Sequence, residues 1–136
     1  MLCPQSGCSN RSSAFRRYLV LLGIIVNRDE FARNLAAGTY DLIVLDVLRD
    51  GPSYGYDILK RIVTQSKHCI CWHQGSLYPV LHRLEERGLL ASEWKGRHGG
   101  RQRRYYRLTA RGQRQWHEQR AQWRTFSRGI NSLLGI

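Results

Sequence analysis

The spacing of apolar residues changes at Gly88, and this change limits the folds that the chain can adopt. Before it, apolar residues recur at helical spacing in several stretches. After it they alternate loosely over Leu89–Lys95 and Gln102–Leu108, with a glycine-rich segment at 96–100 between the two runs. The sequence therefore predicts a mainly α-helical domain that is followed by a small β-hairpin.

Capping residues and glycines set the expected limits of the helices. Thr39, Ser53 and Thr109 each precede a helical pattern and are expected to cap it. The predicted helices are a short one from Asn27 that ends at Gly38, then Tyr40–Arg49, Tyr54–Gln65, Gly75–Arg87 and Ala110–Leu134. Helices followed by a hairpin are typical of a winged helix-turn-helix. In that fold Gly75–Arg87 would be the recognition helix, which lies in the DNA major groove, and the hairpin would be the wing.

Basic residues are concentrated after the hairpin begins. The chain has 22 Lys and Arg against 10 Asp and Glu, a net charge of +12. Residues 95–136 hold eleven basic groups and a single acid, Glu118, whereas residues 27–94 are nearly neutral. A small protein this basic usually binds a polyanion, and the wing and last helix are where such a contact is expected.

Ten polar or basic residues are predicted to contact DNA. Those on the recognition helix are Gln74, Ser76, Tyr78, His82 and Arg83, and those on the wing are Lys95, Arg97, Arg101, Arg103 and Arg104. Side chains on the helix are expected to read base edges or hold phosphates, and the wing cations are expected to neutralise phosphates. The alternatives are a solvated helix face and a charge cluster that serves solubility. Because side chains alternate along a strand, one of Tyr105 and Tyr106 should pack on the helices.

The last helix carries an apolar seam. Trp116, Trp123 and Ile130 are seven residues apart, and a second set, offset by three, consists of Gln119, Phe126 and Leu133. Such a narrow stripe suits a partner helix and predicts a homodimer, with packing back onto its own domain as the alternative.

The chain divides into an N-terminal extension at 1–26, a winged domain at 27–108 and a dimerisation helix at 109–136. The extension is interpreted as disordered or as the product of an upstream start codon. A signal peptide is the alternative, since Arg16 and Arg17 precede the apolar run Tyr18–Val26, but no small-residue cleavage site follows. No apolar run reaches the roughly 18 residues that span a bilayer. We therefore expect a cytoplasmic protein without membrane contact.

Four cysteines are expected to be free thiols in a reducing compartment. His68, Cys69, Cys71 and His73 offer an alternative function, a metal- or thiol-responsive sensor, although C-x-C is not the usual zinc spacing. RNA binding is a further alternative, which would require exposed aromatic rings. No nucleophile–base set and no phosphate-binding glycine loop is present in the sequence, so we predict neither an enzyme nor a cofactor.

Three motifs resemble the PadR family of bacterial transcriptional regulators. They are Gly51–Ile58, Gly75–Leu90 and Arg104–Gly112, and the resemblance covers about residues 30–134. It implies a dimeric winged-helix protein, usually a repressor, and many members lose DNA affinity on binding a small, often aromatic, molecule. The single C-terminal helix is similar to that of the short-tailed subgroup. The extension and the Cys69–Cys71 segment depart from the family pattern.

The resemblance also implies roles for the seam tryptophans. In multidrug-binding members a tryptophan at the dimer interface stacks on flat ligands, and Trp116 or Trp123 would do so here. Plain dimer packing is the alternative. The function expected from the sequence is a ligand- or stress-responsive repressor that acts as a homodimer on an inverted repeat.

Overall fold

The computed structural model describes residues 39–96 and 99–136. The elements in chain order are α1 (Tyr40–Val47), β1 (Ser53–Tyr54), α2 (Gly55–Gln65), α3 (Gln74–Glu86), β2 (Leu90–Lys95), β3 (Arg103–Leu108) and α4 (Ala110–Leu134). The predicted extension at 1–26, the helix from Asn27 and Arg97 lie outside the described residues. The mainly helical winged architecture and the C-terminal helix that the sequence predicts are confirmed.

One apolar core joins α1, α2, α3 and the base of the sheet. Its fully buried side chains include Leu45 of α1, Ile58 of α2, Leu81 of α3 and Tyr106 of β3. Burying a Leu or Ile side chain contributes about 1.5–3 kcal/mol, so this cluster holds α3 against the other two helices. The same cluster holds the base of the wing.

The sheet has three antiparallel strands in the order β1–β3–β2, one more than the hairpin predicted from the sequence. In β1, Ser53 pairs with Tyr106 and Tyr54 pairs with Tyr105. The prediction that Ser53 caps α2 is therefore wrong, because Tyr54 occupies the N-cap position. The Ser53 hydroxyl instead donates to Asp57 Oδ2 at 2.6 Å. A strand of two residues is formed by its pairing with β3, so periodicity could not reveal it.

The other two predicted caps differ in outcome. The Thr109 Oγ1 accepts a hydrogen bond from the Gly112 N–H at 3.0 Å, which confirms it as the cap of α4. Thr39 stands at the N-cap of α1, but its side chain accepts no capping bond there. Its carbonyl accepts from the Ile43 N–H at 2.9 Å, which closes the first turn of the helix. No helix among the described residues is both long and apolar enough to span a membrane.

Candidate nucleic-acid interface

A groove of about 560 Å³ lies between α3 and the wing, which is the β2–β3 hairpin. It brings together six of the predicted DNA-contacting residues, although they are far apart in the sequence. These are Gln74, Tyr78, His82, Arg101, Arg103 and Arg104. The remaining lining residues are Tyr54, Gly55, Tyr56, Trp94, Gln102 and Tyr106. The groove thus combines aromatic rings, amide groups and guanidinium groups on two facing walls.

The α3 wall is formed by residues spaced four apart, Gln74, Tyr78 and His82, which lie on one side of the helix. All three are exposed, and the rings of Tyr78 and His82 are 6.5 Å apart. Gly55 makes room for Tyr78, because a Cβ at that position would stand 2.7 Å from the Tyr78 hydroxyl oxygen. The small residue at the start of α2 therefore allows α3 to present its tyrosine to the groove.

Cations on the wing lie over aromatic rings. The guanidinium carbon of Arg103 is 4.5 Å from the ring centre of Tyr54, and the Lys95 Nζ is 5.3 Å from that of Tyr105. Lys95 also pairs with Glu93 at 3.1 Å and lies outside the groove. Cation–π contacts at exposed sites are worth about 0.5–1 kcal/mol, enough to bias the direction of these side chains while leaving their charge available.

Arg104 connects the wing to α3. Its Nη2 donates to Glu85 Oε2 and its Nε to Ser92 Oγ, both at 2.9 Å, and the Ser92 hydroxyl donates to Glu85 Oε1 at 2.6 Å. The ring of Tyr106 lies beneath Arg104 and is only 1% exposed, so Tyr106 is the tyrosine that packs on the helices. Burial raises the pKa of Tyr106, and the charge of Arg104 opposes that shift. Arg104 therefore positions the wing.

A second ion-pair cluster holds α3 on its other side. Arg83 bonds to Asp41 Oδ1 of α1, and Arg87 Nη1 donates to Asp41 Oδ2 at 2.8 Å. Arg83 thus lies on the α1 side of the helix, apart from the groove. Ser76 is exposed but does not line the groove either. The sequence identified Arg83 and Arg104 as cations, but it did not show that an acid faces each of them.

Some lining residues were not singled out in the sequence. Trp94 is 65% exposed on β2, and Tyr54, Tyr56 and Gln102 complete the walls. Trp94 is an even number of residues from the buried Leu90, so strand alternation alone would place both side chains on the covered face of the hairpin. Trp94 is exposed because α3 covers only the first part of β2. That depends on how the elements pack, so the local sequence could not reveal it.

The seam on α4 is divided between two environments. The Trp116 Nε1 donates to Asp46 Oδ1 of α1 at 3.0 Å, and the ring is partly buried against the core. Beyond it, Trp123, Phe126 and Ile130 are exposed, and Leu133 is 85% exposed. The first half of the seam thus packs on its own domain, as the alternative interpretation held, whereas the second half is uncovered in this single chain.

The histidines and cysteines of residues 68–73 are the candidate ligands of the alternative, metal-responsive function. No group of three or more potential ligands that could hold a metal ion is found within residues 39–96 and 99–136, which include His68, Cys69, Cys71 and His73. Cys69 is a free, exposed thiol, whereas Cys71 is in a disulfide. The expectation of four free thiols is therefore wrong for Cys71, because disulfide formation depends on which sulfur atoms meet in the folded chain.

Comparison with known proteins is consistent with this geometry. The model of the PadR-like family of transcriptional regulators matches residues 44–118. A PadR family transcriptional regulator from Eggerthella lenta is similar in structure, with 35% sequence identity and a TM-score of 0.64. That match covers 90% of this chain and 97% of the other.

Two further structures are similar. A transcriptional regulator from Clostridium thermocellum has 29% identity and a TM-score of 0.67, over 73% of this chain and 96% of the other. A PadR-like transcriptional regulator from Bacillus cereus has 26% identity and a TM-score of 0.64, over 74% of this chain and 96% of the other. The chain therefore belongs to the PadR-like family of transcriptional regulators and is a DNA-binding protein of the winged-helix type.

Proposed function

We propose that this regulator is a repressor that acts as a homodimer on an inverted repeat in duplex DNA. The observation that carries the proposal is the groove, in which polar side chains of α3 face guanidinium groups of the wing. One wall is suited to base edges and the other to phosphates, so the two kinds of contact that DNA recognition needs lie side by side.

The two walls have different tasks in this proposal. Gln74 and Ser76 lie in the first turn of α3, the end of the helix that enters the major groove and whose dipole attracts phosphate. Tyr78 and His82 follow along the groove side of the same helix, whereas Arg83 is paired with Asp41 and supports the position of α3. Lys95, Arg97, Arg101 and Arg103 on the wing neutralise phosphates and give affinity that is independent of sequence. Arg104 acts mainly by holding the wing at its angle to α3, because it is already paired with Glu85.

The uncovered half of α4 supports the homodimer. Trp123, Phe126, Ile130 and Leu133 lie along one stripe of a 25-residue helix that ends at Leu134. An apolar stripe of this kind is stabilised by a matching stripe, and a second copy of the same helix supplies one. A two-fold axis at α4 would present two α3 helices to the same face of DNA, about 34 Å apart.

Regulation in this proposal acts through the spacing of the two subunits. A small aromatic effector would bind beside Trp116 and Trp123, which are two helical turns apart on α4. To release DNA, it must bind one subunit spacing more tightly than the other. The protein would act in the cytoplasm, where its DNA is.

Selection from a library of random duplexes tests the proposal. The purified full-length protein is incubated with the library at moderate salt, and bound duplexes are recovered, amplified and sequenced. We expect enrichment of an inverted repeat whose half-sites are centred about one helical turn apart. Enrichment of nothing, or of a single asymmetric site, would contradict the dimeric model. A competing RNA of equal length serves as a control and is expected not to displace the selected duplex.

A further inference from the structure

Trp94 is the most exposed aromatic side chain that lines the groove. Its Cα is paired with that of Arg104 across the wing, and side chains opposite each other in an antiparallel pair lie on one face. The same face carries Leu90, which is buried in the core, and Ser92, which bonds to Glu85 of α3. Trp94 is the next residue outward on this face, where α3 no longer covers the strand.

An indole is an unusual choice for a position that only water contacts. A solvent-exposed strand position is well served by Thr or Lys, whereas exposed aromatic residues are enriched where a partner will cover them. Trp94 does not belong to the uncovered stripe of α4, which consists of Trp123, Phe126, Ile130 and Leu133. A homodimer formed through that stripe therefore gives no reason for the indole of Trp94.

The other groups in the groove indicate what covers it. Arg101 and Arg103 line the groove with Trp94, and Gln74 and Tyr78 stand on the opposite wall. Guanidinium groups beside a flat apolar ring fit a nucleic-acid strand, which offers a phosphate and an apolar sugar or base surface within one nucleotide. A purely apolar partner would leave the arginines unpaired, and a simple anion would leave the indole exposed.

We propose that Trp94 packs against the sugar and base edges of the DNA strand that enters this groove, and so belongs to the DNA-binding surface. This inference rests on the proposed function and adds to it a neutral contact from the wing. Apolar side chains that enter a DNA groove act by contact and by deforming base steps. The contribution of Trp94 is therefore independent of the salt concentration, in contrast to that of the neighbouring arginines.

Fluorescence anisotropy with a labelled duplex of about 30 bp, long enough for two half-sites one turn apart, tests the inference. The duplex has the sequence selected by the wild-type protein, and a scrambled duplex at low salt serves as a second probe. We expect Trp94→Ala to weaken binding on the order of tenfold with both probes, at an unchanged slope of log affinity against log salt. Trp94→Phe, which keeps an aromatic face, should recover most of the affinity.

Two controls separate a DNA contact from a loss of fold. Thermal unfolding of both variants should match the wild type, because the side chain of Trp94 is largely exposed. Trp72→Phe serves as a control for loss of an indole. Its partly buried ring packs edge-on against Tyr40 at 4.7 Å, away from the groove lining, so wild-type affinity is expected.

The outcomes distinguish this inference from the proposed function. Wild-type affinity in Trp94→Ala would overturn the role of Trp94 and leave DNA binding by the groove intact. Equal losses in the Ala and Phe variants, or a changed salt slope, would also overturn it, since neither fits a neutral aromatic contact. Failure of the wild-type protein to bind either duplex would overturn the proposed function itself, and the role of Trp94 with it.

Discussion

Replacing Gly112 by alanine should destabilise the protein, although alanine usually stabilises the interior of a helix. Gly112 lies in the first turn of α4, which passes close to the end of α3 and the start of β2. A Cβ at this position would stand 3.0 Å from the carbonyl carbon of Leu89 and closer still to its oxygen, where ordinary contacts are 3.4–4 Å. The first turn of α4 must therefore move away from Leu89.

That movement breaks contacts which hold α4 to the winged domain. The Leu89 carbonyl accepts the Thr109 N–H at 3.1 Å and lies 3.2 Å from the Thr109 hydroxyl. Overpacking costs about 1–3 kcal/mol, and a lost hydrogen bond about 1 kcal/mol. The higher helix propensity of alanine relative to glycine offsets about 1 kcal/mol of this loss. We expect a net loss of about 1–3 kcal/mol in the free energy of unfolding.

Gly129→Ala is the matched control, because it makes the same change in the same helix. No atom lies within 4 Å of a Cβ built at Gly129, so alanine should stabilise the fold by about 0.5–1 kcal/mol. Urea unfolding followed by circular dichroism, at one protomer concentration for all variants, measures both effects. If Gly112→Ala unfolds at the same urea concentration as the wild type or a higher one, the close packing of α4 on Leu89 is wrong.

Three further predictions address the groove and the buried ring. Arg101→Ala should lower the slope of log affinity against log salt, measured by anisotropy, by about one. Gln74→Ala should instead change the preferred DNA sequence and leave that slope unchanged. Identical behaviour of the two variants would refute the division of tasks between the wing and α3. Arg104→Ala should lower the free energy of unfolding, measured with urea, by about 1 kcal/mol, because the partly buried Glu85 loses its cation. Burial raises the pKa of Tyr106, so unfolding free energy should fall as pH rises above 10, and Tyr106→Phe should reduce that fall.

The helices could be predicted because their determinants are local. The predicted limits of α4, Ala110 and Leu134, are those observed, since Thr109 caps the helix and Gly135 ends it in a left-handed conformation. Strand β1 could not be predicted, because two residues carry no periodicity and their conformation depends on pairing with β3, about 50 positions away.

The composition of the site could be predicted better than its geometry. The charge run after residue 94 identified the wing, and six of the ten predicted residues do line the groove. The acid that faces Arg83 is Asp41, 42 positions earlier in the chain, and no local pattern connects them. The division of the α4 seam depends likewise on Asp46, 70 positions before Trp116. Long-range partners of this kind decide which cations are free to bind DNA.

Sedimentation velocity of the protein with its selected duplex tests the central claim most directly, because it reports both the binding and the number of subunits. The account predicts a complex of two protomers with one duplex, which forms at low salt and dissociates as salt is raised. A protein that remains monomeric and sediments apart from the duplex at low salt would contradict the account.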